Sequence, residues 1–375
     1  MINRKLQIHI RKRFFKGKVI AIMGPRQSGK TVLARRLTKE FTSETIWLNA
    51  DESDVRQMFT NQTVAILKQI IGNKKIVVID EAQRIINIGL VLKLFADNFK
   101  EIQVIATGSS SFDLSNEINE PLTGRKYEHT LLPFSFQELV ENTNWIDQNR
   151  LLEQRLIYGS YPEVITTPGE EEELLANLSD SYLYKDIFTL ENIKKPAGLE
   201  NLLKALAFQV GSEVVTNELA KLTGMSGETV ERYIVLLEKA FIVFRLPSLN
   251  RNLRNEIKKN KKIYFYDNGI RNSIIKNFNQ ISMRDDVGKL WENYLVSERV
   301  KYNHYNKIDV NKYFWRTHTQ QEIDYIEEYD GKLHAYEFKW STRKKVKFPA
   351  TFIEAYSNSE TNIINRENYF EWLND

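Results

Sequence analysis

The stretch that most constrains this chain is Gly24-Pro25-Arg26-Gln27-Ser28-Gly29-Lys30-Thr31, which follows the apolar run Val19–Met23 and precedes a helix-like segment at 32–39. It fits G-x-x-x-x-G-K-[ST] in the strand–loop–helix setting that gives the pattern its meaning. Glycines let consecutive backbone N–H groups turn inward around a polyphosphate, and the N-terminus of the following helix adds positive potential. Lys30 can reach β- and γ-phosphates, and the Thr31 hydroxyl can ligate Mg²⁺. The spacing therefore assigns Gly24, Pro25, Arg26, Gln27, Ser28, Gly29, Lys30 and Thr31 to nucleotide binding, with Lys30 also a catalytic candidate. Such a pattern arises by chance in chains of this length, but its flanks argue against chance here.

A second run, Lys75-Ile76-Val77-Val78-Ile79-Asp80-Glu81, is an unbroken apolar strand ending in two acids. Continuous Ile and Val without alternation suits a central parallel strand covered on both faces. Asp80 is expected to hold the Mg²⁺ shell and Glu81 to polarise the attacking water. Alone, the run reads equally as a core strand ending at a solvated acidic turn. Beside the phosphate loop, the nucleotide reading wins.

With 375 residues the chain exceeds one ordinary core, so several domains are expected. We place them at 1–145 (around the two nucleotide motifs), 146–195 (helical lid or connector), 196–280 and 281–375. A hydrophobic share of 42% and a charged share of 27% describe a soluble globular protein, and no apolar stretch approaches the ~20 residues of a bilayer span. The basic N-terminus leads into only a short apolar run, unlike a signal peptide. Cysteine is absent, which excludes disulfides and thiolate metal sites. A cytoplasmic address without a membrane partner is the expectation. A net charge of +4 permits a nucleic-acid partner without requiring one.

Between the two motifs, Thr45–Asn49 reads as a strand and 63–71 as a helix; a helix over 88–99 and a strand over 102–107 follow. Strands alternating with helices imply a parallel sheet with ligands at its carboxyl edge. Thr107 and Ser109 are thus placed to hydrogen-bond a γ-phosphate or water. Arg125, in Leu122-Thr123-Gly124-Arg125, has the chemistry to neutralise phosphoryl-transfer charge, although a surface arginine is the default reading.

Residues 149–192 look helical. After them comes a helix-turn-helix pattern: Thr216 caps 217–222, Thr223-Gly224-Met225 turns, Ser226 caps 227–240, and 241–246 continues as a strand. The outline is that of a winged helix. Glu228, Glu231 and Glu238 outnumber Arg232 and Lys239 on the second helix, so a structural or protein-docking role is favoured over DNA reading. The next segment, 251–262, carries Arg251, Arg254, Lys258, Lys259, Lys261 and Lys262 against Glu256. It reads as an exposed basic loop and a candidate phosphate contact for DNA.

Near the C-terminus, 287–299 is an amphipathic helix with Glu292 on its flank. Strands follow at 312–316, 322–327 and 333–340, with a hairpin at Asp330-Gly331. Glu337 and Lys339 project from one strand face, and Asp324 on the neighbouring strand can join them. Two carboxylates and an ammonium are what metal-dependent phosphodiester cleavage uses. A surface ion pair on an edge strand is the plainer alternative. Asn306-Lys307-Ile308-Asp309 fits the N-K-x-D of GTPases but lies far from the nucleotide motifs, and the five histidines show no metal-ligand spacing.

The runs GPRQSGKT, VVIDEAQ, ATGSSSF, LTGRKYEHTLLPFSFQEL and YGSYPEV, with KIYFYDNGI, GKLWENYLV, QEIDYIEE and YEFKWS later, resemble the prokaryotic AAA-type ATP-binding proteins fused to a C-terminal domain of unknown function. The resemblance implies an α/β fold: a P-loop NTPase (AAA+/STAND-like) parallel sheet, a winged-helix segment, and a restriction-endonuclease-like domain of the PD-(D/E)XK type. It matches Lys30, Thr31, Asp80 and Glu81 to the ATPase motifs. It also matches Glu292, Asp324 and Glu337 to metal ligands and Glu337 with Lys339 to the nuclease motif, and it aligns Arg125 with a Gly-Arg pair. ATP with Mg²⁺ is the expected cofactor, Mn²⁺ an option at the nuclease-like site, and a homo-oligomer or protein partner is consistent with sites completed by a neighbour's arginine. The expected function is an ATPase coupled to a DNA-directed nuclease-like module; the alternative is a nucleotide-switched binding protein whose terminal domain is catalytically silent.

Overall fold

The unbroken apolar runs become the centre of a parallel sheet. The computed structural model describes residues 2–60, 62–109, 122–180, 196–249, 261–343 and 347–374. Strands β1 (Val19–Met23), β2 (Thr45–Asn49), β3 (Ile76–Asp80), β4 (Gln103–Gly108) and β5 (Lys126–Thr130) lie in the order β2-β3-β4-β1-β5. Every pairing in it is parallel. The inner strands β1, β3 and β4 are buried at each position, whereas the edge strands β2 and β5 are mostly half-buried. Val19, Ala21 and Met23 share one core with residues of the helices α4 (Val64–Ile71) and α5 (Ile88–Asn98), among them Leu67, Leu92 and Phe95. Ile20 and Ile22, on the opposite face, are just as deeply buried. Fully burying one such Val or Ile contributes roughly 1.5–3 kcal/mol, so the sheet centre anchors everything attached to its strand ends. Helices α1 (Lys5–Arg11), α2 (Lys30–Thr38) and α3 (Ser53–Met58) complete this part.

The chain forms two compact units, one built largely on the residues before Phe134 and the other largely on those from Phe134 onward. In the second unit, helices at Phe136–Asn142 and Trp145–Arg150 are followed by Leu152–Tyr158, Pro162–Thr166 and Glu171–Leu178, the last three lying within the expected helical stretch 149–192. Then come α6 (Pro196–Phe208), β6 (Glu213–Val214), α7 (Thr216–Thr223), α8 (Gly227–Lys239), β7 (Val243–Pro247) and β8 (Lys261–Phe265). The three strands form an antiparallel sheet in the order β6-β8-β7. Thr216 does not cap α7; it is the first helical residue, and Val215 holds the cap position without a side-chain bond. Ser226 behaves as expected, its Oγ accepting from the Thr229 N–H at 3.2 Å.

The last element set is α9 (Val287–Asn306), β9 (Asn311–Arg316), β10 (Glu322–Tyr329), β11 (Lys332–Phe338), α10 (Ala350–Ala355) and β12 (Ser359–Ile364). The sheet runs β12-β11-β10-β9, with β9, β10 and β11 antiparallel and β12 parallel to β11. Asp330 and Gly331 both take positive φ, 51° and 72°, as a tight hairpin turn between twisted strands requires. Tyr325, Tyr336 and Phe338 pack with Trp291 and Leu295 of α9, while Leu333 and Ala335 pack with Phe352 of α10. No helix among the described residues is long and apolar enough to cross a membrane.

Candidate functional sites

The phosphate-loop sequence joins the end of β1 to the start of α2, and glycine geometry dictates its path. Gly24 has φ 146°, and a Cβ there would come within 2.1 Å of the Leu131 carbonyl oxygen. Gly29 caps α2 with φ 93°. Only glycine takes either position without strain. Gln27 carries the turn at φ 52°. Lys30 is buried, its Nζ donating to the carbonyls of Gly24 at 2.9 Å and Pro25 at 2.8 Å. The buried Ser28 hydroxyl finds no hydrogen-bond partner among the described residues. Arg4, which sequence reasoning overlooked, braces the loop by donating to the Ser28 carbonyl at 2.9 Å and to the Leu132 carbonyl.

The sheet order sets β3, β4 and β1 side by side, so three carboxyl ends meet at one edge. Thr31 donates to Asp80 Oδ1 at 3.2 Å, and Thr107 at the end of β4 donates to the same oxygen. The Glu81 N–H donates to the Thr107 hydroxyl at 3.2 Å. Glu81 itself sits in the left-handed region, φ 52°, an uncommon conformation for a non-glycine residue and one that concentrates at functional sites. Gln83 Nε2 donates to the Glu81 carboxylate and, at 3.2 Å, to the Ser109 hydroxyl. Sequence reasoning gave Gln83 no role; its place at the end of VVIDEAQ, two residues beyond Glu81, was the available signal. A hydroxyl and a buried carboxylate on converging strand ends are hard oxygen donors, and with nucleotide phosphates they suit Mg²⁺. The residues present fit that ion.

Arg125 is not brought to this edge. Parallel pairing sets Val19 opposite Lys126, and the Arg125 carbonyl accepts from the Val19 N–H at 3.0 Å. Arg125 therefore lies at the amino end of β1, a strand length from the loop. Its Nε donates to Asp97 at 2.6 Å in a half-exposed ion pair. The catalytic assignment of Arg125 within its own chain is corrected accordingly.

The second group of expected residues gathers in the other unit. Tyr325 pairs with Tyr336 across β10 and β11, which sets Asp324 opposite Glu337. Asp324 Oδ2 accepts from the Phe338 N–H at 2.8 Å. A register shift between Ile323 and Ile326 interrupts the pairing with β9 at this point, a device that re-aims side chains. Lys339 donates to Glu337 at 2.7 Å and lies 3.8 Å from Asp324. Burial pushes the Glu337 carboxyl up to about 7, and Asp324 adds to the rise.

Glu292 on α9 is not free to join them as a metal ligand. Its carboxylate accepts from Lys262 Nζ at 2.9 Å and from the Tyr264 hydroxyl at 2.7 Å. Burial raises Glu292 to about 7 against the pull of Lys262, and Asp324 adds to the rise. Lys262 also lies 2.5 Å from Glu322 and 5.4 Å from the Phe314 ring centre. Sequence reading put Lys261 and Lys262 in an exposed basic loop; both instead open β8, and the Lys262 side chain is 1% exposed. Two carboxylates compensate the charge that would otherwise keep a lysine out of the interior. Residues 251–260, the rest of that expected DNA contact, lie outside the described residues. Among the described residues no three His, Asp or Glu side chains gather closely enough to hold an ion. Glu292, Asp324 and Glu337, as arranged here, do not fit a resident metal.

On α8 the acidic excess is partly internal. Arg245 of β7 lies 2.6 Å from Glu231 and 3.4 Å from Glu238. These acids hold the adjoining strand, which weakens their assignment to a docking surface.

Residues 16–140 match an AAA domain, 149–281 a domain of unknown function (DUF8612), and 287–373 another (DUF4143). An uncharacterized protein of Methanocaldococcus jannaschii is 26% identical over 80% of this chain and 69% of its own length. One from Haemophilus influenzae is 28% identical over 68% of each chain. Among solved structures, the Walker-type ATPase of Pyrococcus abyssi is similar at a TM-score of 0.48 and 16% identity, over 73% of this chain and 96% of that one. Residues 16–140 are thus similar to an AAA domain, and their parallel sheet with its phosphate loop has the P-loop arrangement; the matches that follow are to two domains of unknown function.

Proposed function

We propose that this chain binds Mg²⁺-ATP and hydrolyses it, with Lys30, Thr31, Asp80 and Glu81 in the working roles. The observation that carries the reading is the Thr31–Asp80–Thr107 bridge, which ties the phosphate loop to the acidic strand at one sheet edge. Lys30 exchanges the carbonyls of Gly24 and Pro25 for phosphate oxygens, and the loop amides cradle the chain of phosphates. The metal, when bound, neutralises charge developing on the β- and γ-oxygens. Thr31 and Asp80 would hold that ion, and Glu81 orients the attacking water while Gln83 holds the Glu81 carboxylate. With Arg125 at the far end of β1, an arginine from a second copy of the chain is the proposed source of the remaining positive charge. Phosphate release from ATP in Mg²⁺, set against EDTA, tests this reading. Release that EDTA does not abolish, or no release in either, contradicts it.

For 281–375 we propose a nuclease-like fold of the PD-(D/E)XK type, supported by the helix–three strands–helix–strand order and by Asp324, Glu337 and Lys339 meeting across β10 and β11. The preceding segment, ordered helix–strand–helix–helix–strand–strand, supports a winged-helix outline. DNA cleavage with Glu337 and Lys339 at the reacting phosphate is the first reading of activity. The second, a nucleotide-switched protein whose terminal domain is catalytically silent, is favoured by one observation: Glu292 is already neutralised by Lys262. Incubation with plasmid, single-stranded DNA and RNA in Mg²⁺ or Mn²⁺, with and without ATP, separates them. Cleavage lost in Glu337→Ala establishes the first reading, and intact substrate in every arm establishes the second.

A further inference from the structure

The turn between α1 and β1 carries Arg11, Lys12, Arg13, Lys16 and Lys18, with no acid among residues 11–18. It enters β1 at its amino end, the edge opposite the phosphate loop. Cations beside it are neutralised: Arg11 lies 3.1 Å from Glu40, and Arg125 lies 2.6 Å from Asp97. Lys12, Arg13, Lys16 and Lys18 are in no ion pair with a described residue. Arg13 and Lys18 are instead laid over the Tyr127 ring, 4.7 and 5.2 Å from its centre. The turn is also held in one shape. Gln103, 1% exposed at the start of β4, clamps it from both sides. Its Oε1 accepts from the Phe15 N–H at 2.7 Å, and its Nε2 donates to the Lys18 carbonyl at 3.2 Å. Phe15 takes φ 55° and Gly17 φ 68°. A bulky side chain in the left-handed region is an outlier, and such residues concentrate where a chain does work. Here it leaves the Phe15 ring 40% exposed, T-shaped against Phe41 with ring centres 6.0 Å apart.

We propose that this turn binds single-stranded nucleic acid, with phosphates on Lys12, Arg13, Lys16 and Lys18 and an unpaired base stacked on Phe15. Cations without acidic partners follow a strand's backbone, and an exposed ring accepts the face of any base. An anionic membrane surface would attract the same charge, but a segment that enters one turns several apolar side chains outward. Here the turn's other apolar side chain, Phe14, is half-buried against the rings of Phe15 and Phe41. The inference goes beyond the hydrolysis and cleavage readings and rests on neither. It concerns strand binding by the first unit, and its test reads neither phosphate release nor cutting.

The test is fluorescence anisotropy of a labelled oligothymidine of about 15 nucleotides, long enough for one such site, titrated with the full chain across a salt series. Lys12→Ala combined with Lys16→Ala is expected to weaken binding at least about tenfold and to lower the salt slope by about one. Phe15→Leu keeps an apolar contact for Phe41 but removes the ring. It is expected to weaken binding at least about fivefold with the slope unchanged, while Phe15→Tyr resembles the parent. No binding by the parent, or parental affinity in either the lysine variant or Phe15→Leu, overturns the proposal. Should Phe15→Leu not fold, the parent decides: single strand preferred over duplex by at least about tenfold supports stacking, and equal affinity refutes it. Phosphatidylserine vesicles form the last arm. Vesicle binding lost in the lysine variant, with oligothymidine held at parental strength, assigns the turn to a membrane surface and overturns the proposal.

Discussion

The Thr31 hydroxyl meets the Asp80 carboxylate at 3.2 Å, joining two motifs 49 residues apart in the chain. Neither residue has a reason in stability alone to lie there: a buried carboxylate at a strand end is costly unless its lone pairs are matched. Here they are matched by Thr31 and Thr107, the groups a metal–phosphate complex would also engage. Asp80→Asn leaves the shape in place and removes the charge. Its expected effect is a fall in ATP turnover of about a hundredfold, with weaker Mg²⁺ dependence of nucleotide binding, measured by steady-state phosphate release and by calorimetry.

Gln83 is the position at which binding and hydrolysis are expected to respond differently to substitution. It touches Glu81 and Ser109 but none of the loop residues 24–31 in the observed hydrogen bonds. Gln83→Ala is therefore expected to lower turnover by about tenfold, with ATP affinity within about twofold of the parent. A loss of affinity as large as the loss of turnover assigns Gln83 to folding of the loop instead.

Gly24 is held open by its neighbour's backbone. A methyl group at 2.1 Å from the Leu131 oxygen cannot be absorbed by a rotamer change. Gly24→Ala should cost about 2 kcal/mol or more, read as a lower thermal midpoint, and should abolish ATP binding. Gly331→Ala also strains a positive φ, but nothing lies within 4 Å of its Cβ; it is expected to leave ATP binding intact.

Acid sensitivity should trace in part to Asp286. Burial alone would raise its pKa, but hydrogen bonds from Arg284 and Arg271 outweigh that and hold it down at about 2, below its ordinary 3.8. The folded state therefore favours the ionised form. This contribution to stability is present above pH 3.8 and is lost as pH falls through about 2. Asp286→Asn is expected to be less stable than the parent at pH 7, with the gap narrowing below pH 4, in denaturation midpoints measured across that range.

Much of the first unit was legible because its signals are local. Unbroken Val and Ile runs mark inner strands, and β1 and β2 fall at the boundaries read from the sequence. The edge strand β5, Lys126–Thr130, was missed because its half-exposed residues carry neither an apolar run nor clean alternation. α9 was read too short for a related reason. From Glu298 to Lys301 it buries charged residues, with Arg299 held by Glu327 at 2.9 Å and Lys301 by Glu298 at 2.7 Å. Hydrophobic periodicity does not register a helix face that is buried in ion pairs. The C-terminal cluster divides in the same way. Glu337 and Lys339 share a strand and could be read together, whereas the interior position of Lys262 depends on pairing between elements far apart in sequence.

The central claim is that the loop 24–31 holds a triphosphate for hydrolysis, and Lys30→Ala addresses it most directly. In steady-state ATP turnover with Mg²⁺, the parent is expected to release phosphate and the variant to fall by about a hundredfold or more, while keeping the parent's thermal midpoint within a few degrees. Equal turnover in the two proteins would contradict the account.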